Sequence, residues 1–146
     1  MKPLTTLLCL ICPFILSAVD FRLTGIDGVE FTLKPNSKPT ILFLFNSECD
    51  ACSRAAQRLL ISDTIKSASP RIAAIALYEN EDKSKKKPSI WPQNSNLRAD
   101  TRGEVVDSDS LTFESVPAFI LLDENLNVRH STISLNDLQR FMTEKK

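Results

Sequence analysis

The chain predicts an α/β domain: a central mixed β-sheet flanked by helices, with a small β-hairpin ahead of it. Three observations carry that expectation. A continuous apolar, β-rich run at Thr40–Phe45 is followed by helical periodicity and then by a second apolar run from Ile72, which reads as strand, helix, strand. A third apolar run, Ala118–Leu122, leads into the turn residues Asp123-Glu124-Asn125, which predicts a hairpin. After Ser134 the apolar spacing is helical again. A chain of 146 residues is ordinary for one such domain.

Taken in order, Phe21, Leu23, Phe31 and Leu33 are spaced by two around Gly25 and Asp27-Gly28, so Asp20 to Lys34 reads as the hairpin. Pro35-Asn36-Ser37-Lys38-Pro39 punctuates the chain before the Thr40 strand, whose unbroken apolar character predicts burial on both faces. Ser47 is the expected helix cap, with Ala51, Ala55, Ala56, Leu59 and Leu60 on the apolar side and Arg54, Gln57 and Arg58 on the wet one. A short helical turn is expected from Ser62 to Ala68. Pro70 then resets the chain, and Ile72 to Tyr78 reads as the second buried strand. Residues 79–110 are polar and irregular, and loops are expected there, with Trp91 folded back onto the body. Asn127 to Ser131 is the expected partner strand of Ala118–Leu122. Ser134 and Asp137 resemble a capping box for a final helix that carries Leu135, Leu138, Phe141 and Met142 and ends at Lys145-Lys146. The expected order is the hairpin, then βα, β and ββα.

The first 18 residues do not fit this domain. Lys2 is followed by an apolar run from Leu7 to Leu16 and then by Ser17-Ala18, with no acidic residue before Asp20. A basic start, an apolar middle and a small residue at the end make a secretory signal peptide, with cleavage expected after Ala18 and a domain of residues 19–146. The alternative is an uncleaved membrane anchor, but the run is shorter than the roughly 20 residues that span a bilayer and contains Pro13. Leu8 precedes Cys9 and Ile11 precedes Cys12, where lipid attachment would require a small residue. Cleavage would leave Cys49 and Cys52 as the remaining cysteines.

Charge points to no nucleic-acid or membrane partner. Lys and Arg number 18 against 18 Asp and Glu, so no net field attracts a polyanion. Lys83, Lys85, Lys86 and Lys87 form a local basic run, but Glu79, Glu81 and Asp82 offset it, and a solvated loop is the expected reading.

Chemistry concentrates at Cys49-Asp50-Ala51-Cys52, just after a buried strand and at the first turn of a helix. There the unpaired backbone N–H groups and the helix dipole favour an anionic sulfur, so Cys49 is the expected thiolate. The spacing puts the sulfurs on adjacent turns, close enough to form a bond that opens and closes; Cys49 would attack and Cys52 resolve the mixed disulfide. A CxxC pair also serves zinc sites and inert staples. Zinc would need further ligands, and after cleavage the chain offers only His130, the single histidine, far along the sequence. A cysteine hydrolase would need a base, and His130 is placed on the C-terminal hairpin, where an exposed structural role is expected.

A strand, a CxxC at a helix start, and then Ser115-Val116-Pro117-Ala118-Phe119-Ile120-Leu121-Leu122-Asp123 resemble the thioredoxin family from about Lys38 to the end. That resemblance implies a thioredoxin-like fold, a cis proline at Pro117 facing the CxxC sulfurs, and a Val116 backbone presented to a bound substrate strand. The export signal and leading hairpin are similar to those of periplasmic thiol-disulfide proteins of Bacteroidetes type. The chain departs from the family at Glu48, where a Trp is usual, at Phe43, where a buried carboxylate is usual, and at Asp50-Ala51 in place of Gly-Pro. Glu48 and Asp50 flank the nucleophile with negative charge, which opposes the helix terminus and favours a reductant or mild exchanger over a strong oxidant.

The expected function is thiol-disulfide exchange with protein thiols or disulfides and a redox partner protein, in the periplasm or cell envelope, without a cofactor or metal. Catalytic roles fall to Cys49 and Cys52, and substrate binding to Val116 and Pro117. The competing reading is a non-catalytic thioredoxin-fold binding module in which Cys49–Cys52 is a permanent staple.

Overall fold

The computed structural model describes residues 21–25, 30–46, 48–77, 97–100 and 111–144. Among the described residues seven strands form one sheet: β1 (Phe21–Gly25), β2 (Glu30–Leu33), β3 (Thr40–Phe45), β4 (Arg71–Leu77), β5 (Leu97–Asp100), β6 (Ala118–Leu122) and β7 (Val128–Thr132). Their spatial order is β2-β1-β5-β4-β3-β6-β7. β4 is parallel to β3 and to β5, whereas the β1–β2, β1–β5, β3–β6 and β6–β7 pairs are antiparallel. The helices among the described residues are α1 (Asp50–Ile61), α2 (Asp63–Ala68) and α3 (Leu135–Glu144). The mixed sheet, the leading hairpin and the C-terminal ββα unit match the fold class read from the sequence.

Alternation along the strands divides the core between the two faces of the sheet. Ile41, Phe43, Phe45, Ala74, Ala76, Phe119 and Leu121 join Cys52, Ala56, Leu59, Ile65, Leu135 and Leu138 from the three helices. Leu42, Leu44, Ala73, Ile75, Ala118, Ile120 and Leu122 face the other way and are covered by Leu33, Leu111 and Leu126. β3 is buried along its whole length because it lies inside the sheet with both faces covered.

Four readings of the sequence are corrected. Within 79–110, where loops were expected, Leu97–Asp100 is a strand that pairs with β4 on one side and β1 on the other. Its hydrogen bonds come from partners distant in the chain, so its own four-residue pattern carries little signal. Ser47 lies outside the described residues, and the cap of α1 is Cys49, two positions later. That shift changes the buried side: Cys52, Ala56 and Leu59 point inward, Ala55 and Leu60 are half-buried, and Ala51 is exposed. At α3 the expected capping box is only half formed. Asp137 N–H donates to Ser134 Oγ at 3.4 Å, but the Asp137 carboxylate turns to His130 and Arg140, and Ser134 N–H donates to Thr132 Oγ1. The expected signal peptide, Cys9, Cys12, Tyr78, the Lys83–Lys87 run, Trp91 and the Lys145-Lys146 end lie outside the described residues.

Ser62 closes α1 and caps α2, its Oγ accepting from Ile65 N–H at 3.3 Å and from Gln139 Nε2 at 2.6 Å, which ties α2 to α3. Ser69 ends α2 in the left-handed region at φ 48°, its N–H donating to the Ile65 and Lys66 carbonyls, and Pro70 then stops the helix.

Candidate functional site

The site is built from the end of β3. Beyond Phe45, Asn46 folds the chain: its side-chain Oδ1 accepts from Glu48 N–H at 3.0 Å and its carbonyl from Cys49 N–H at 3.2 Å. Asparagine favours such turns because its side chain replaces a backbone acceptor. This brings Cys49 to the N-cap of α1 with φ −98° and ψ 104°, where its Sγ accepts the Cys52 N–H at 3.1 Å and its carbonyl accepts from Ser53 N–H. A sulfur thus occupies the place where capping residues put an oxygen, at the end of the helix that favours negative charge. Sequence reasoning passed over Asn46; an Asx residue between a strand and a helix start was the signal that could have found it.

Cys49 and Cys52 form a disulfide. The two sulfurs differ in environment. Cys49 is half-buried at the rim, whereas Cys52 is 2% exposed and belongs to the cluster with Phe43, Phe45 and Phe119. Glu48 and Asp50 are both exposed on either side of Cys49. At the position where the family resemblance implied a carboxylate, Phe43 is buried and stacked on Phe45 and Phe119.

The Val116–Pro117 peptide bond is cis. Ala118 pairs with Leu44 in the antiparallel β3–β6 ladder, so Pro117 lies one step further, level with Phe45 and the loop that carries Cys49. Val116 and Pro117 are half-buried, and Val116 packs against the clusters on both faces of the sheet. The four residues singled out in the sequence therefore gather at one end of the sheet.

His130 is not among them. It pairs with Leu121, which itself pairs with Ile41, four residues from Phe45 and so about 13 Å along the strands from the cysteine end. An exposed position was expected for it, but the ring is half-buried. Nε2 lies 2.7 Å from Asp137 Oδ2, and the ring stacks on Phe141 at 4.3 Å. The His130 hydrogen bond, followed by that of Arg140, holds the Asp137 carboxyl below the usual carboxylate range.

No family model matches the sequence, and no curated protein does. Solved structures do match. A conserved protein of unknown function from Bacteroides fragilis aligns at TM-score 0.72 and 19% identity over 86% of this chain and 95% of its own. A thioredoxin-like protein from Bacteroides caccae aligns at TM-score 0.70 and 17% identity over 88% of this chain and 48% of its own. The thioredoxin domain of a thiol-disulfide oxidoreductase from Bacteroides vulgatus aligns at TM-score 0.66 and 17% identity over 88% of this chain and 94% of its own. At these identities the likeness is one of fold, and the fold is thioredoxin-like.

Proposed function

We propose that this thioredoxin-fold chain is a thiol-disulfide oxidoreductase that exchanges electrons with protein thiols or disulfides through Cys49 and Cys52. The observation that carries the reading is the asymmetry of the pair: Cys49 at the rim with its sulfur on a helix-start N–H, and Cys52 buried behind it. A helix N-terminus stabilises a thiolate, and a thiolate is the attacking species.

In the reducing direction the Cys49 thiolate attacks one sulfur of a substrate disulfide, the substrate S–S bond breaks, and one substrate thiolate leaves. Cys52 then loses its proton and attacks Cys49 Sγ, the mixed disulfide breaks, and the second thiolate leaves. The substrate has gained two electrons and the Cys49–Cys52 bond has formed; a redox partner protein returns the electrons. Val116 and Pro117, beside the cysteine loop, are assigned the backbone contact with the substrate strand. Glu48 and Asp50 oppose build-up of charge on Cys49, which supports a reductant or mild exchanger. Export to the periplasm or cell envelope, with removal of residues 1–18, belongs to the same reading and is supported by the basic, apolar and small-residue pattern of that segment.

The test is a disulfide-reduction assay on the wild type and on Cys49→Ser and Cys52→Ser variants. Cys49→Ser is expected to abolish turnover, and Cys52→Ser to stall as a mixed disulfide visible by mass. Equal activity in all three would make the pair a staple and the chain a binding module.

A further inference from the structure

Beside the cysteine pair the chain forms a groove. Thr132 pairs with Phe119, the neighbour of Ala118, and Ala118 pairs with Leu44, so the C-terminal end of β7 lies at the same end of the sheet as the Cys49 loop. There the segment that leads to Pro117 runs beside β7 and is fixed to it where Ser131 Oγ donates to the Thr112 carbonyl at 2.8 Å. Between them is a groove of about 420 Å³, lined by Thr112, Phe113, Glu114, Ser131, Thr132 and Ile133. Phe113 is half-buried against the core, Ile133 is 54% exposed, and Glu114 is exposed two residues ahead of Val116. The groove thus offers apolar surface and one carboxylate. Across the site, Asp50 is exposed next to Cys49, and Glu48 is exposed on the other side of it. Several described cations gather at the opposite end of the sheet. Lys38 Nζ donates to Ser69 Oγ, Arg71 donates to Thr40 Oγ1 and to the Lys34 carbonyl, and Arg129 follows Val128, which pairs with Leu122 beside Thr40. Along α1 the cation nearest the pair is Arg54, exposed one helical turn after Asp50, and it offsets part of that charge.

We propose that Asp50 and Glu114 make the site selective for substrate cysteines flanked by basic residues, in segments that cross Val116 and Pro117 and continue into the groove between Phe113 and Ile133. This rests on the thiol-exchange reading of the pair. A lysine or arginine on one side of the substrate cysteine meets Asp50, and one on the other side meets Glu114. Their apolar stems lie along Ile133 and Phe113 while the charged heads stay in water. The chemical step is unaltered: Cys49 thiolate attacks the substrate disulfide, a Cys49–substrate S–S bond forms, the substrate S–S bond breaks, and the other substrate sulfur leaves as a thiolate with the electron pair. The carboxylates take no part in that step and act on the approach of the segment. In water a carboxylate about 6–8 Å from a substrate charge favours a cation, and disfavours an anion, by about two- to threefold each. Exchanging a flanking cation for an anion therefore multiplies the effect of each carboxylate.

The experiment uses the full chain with Cys9→Ser and Cys12→Ser, so that only Cys49 and Cys52 react. The reduced protein is mixed with three acetylated peptide disulfides that differ only in the residues on either side of the cysteine: lysine, glutamine or glutamate. Samples are quenched with acid, and loss of reduced protein is followed by mass. Each rate is divided by that of dithiothreitol with the same peptide, which removes the intrinsic reactivity of the disulfide, and the ratio between peptides removes that of Cys49. The lysine-to-glutamate ratio is expected to be about tenfold or more at about 10 mM salt. It should fall to within about twofold at about 1 M, where charges are screened beyond about 3 Å. Asp50→Asn and Glu114→Gln should each lower the low-salt ratio several-fold, whereas Glu124→Gln, exposed in the turn at the opposite end of the sheet, should leave it. A ratio near one, a preference for glutamate, or a ratio that both site substitutions leave unchanged overturns the inference while the thiol-exchange reading stands. If no peptide oxidises the pair, that reading falls and the inference with it. Should a variant fail to fold, the salt series on the unaltered site decides alone.

Discussion

At the scale of single residues, two side chains outside the cysteine pair have work that follows from their partners. Asn46 holds the N–H groups of Glu48 and Cys49 through its side-chain oxygen and its carbonyl respectively. Asn46→Ala removes the first of these and is expected to destabilise the fold by about 1 kcal/mol and to slow alkylation of reduced Cys49 several-fold; an alkylation rate equal to wild type would mean that the turn does not aim the cysteine. Asp137 is held below its ordinary value of 3.8, first by the His130 hydrogen bond and then by that of Arg140. A carboxyl whose folded value is depressed stabilises the fold at pH above the ordinary value, and that contribution is lost as pH falls from there through the folded value. Asp137→Asn is therefore expected to flatten the fall in melting temperature below about pH 4, read by circular dichroism, whereas parallel curves for the two proteins would remove Asp137 from the acid response. The placement of the cysteine pair at a helix start was legible from spacing and from position after a strand. The His130–Asp137 pairing was not, because it joins β7 to α3 through side chains whose facing directions depend on how the helix sits on the sheet.

At the scale of elements, Ser62 is the joint between α1, α2 and α3. Its hydroxyl caps α2 and also accepts from Gln139. Ser62→Ala should lower stability by about 1–2 kcal/mol in urea titration, since it leaves Ile65 N–H without its cap and Gln139 without its partner. Ser67→Ala, on the exposed side of the same helix, should change little, and equal effects of the two would mean that the joint carries nothing special. Helix periods and strand alternation placed most elements within a residue or two. β5 escaped because a four-residue strand owes its existence to the edges it fills between β4 and β1. The start of α1 was misplaced because the chain turns on Asn46 and the cap is Cys49, which sets the inward face at Cys52, Ala56 and Leu59.

At the scale of the whole molecule, β3 links both layers of the core, with Phe43 on the helix side and Leu42 and Leu44 on the other. Phe119→Ala removes a ring stacked on Phe43 and should destabilise by about 3–5 kcal/mol. Ile120→Ala, on the opposite face, should destabilise by about 2–5 kcal/mol. Because the two faces share β3, β4 and β6, each variant should shift one single unfolding transition, followed by far- and near-ultraviolet circular dichroism together. Two separated transitions would mean that the faces unfold independently.

By itself, the sequence determined which runs pack and with what period, that a CxxC starts a helix after a buried strand, and that a Val-Pro precedes the last hairpin. These are local properties, set by the order of apolar and polar residues and by backbone groups at helix ends. Only the tertiary structure decided that β5 completes the sheet, that Val116 and Pro117 lie level with the cysteine loop, and that an aromatic layer lies in the core around Cys52. Those relations join residues far apart in the chain, and they exist only once strand pairing and helix docking have set the distances between them.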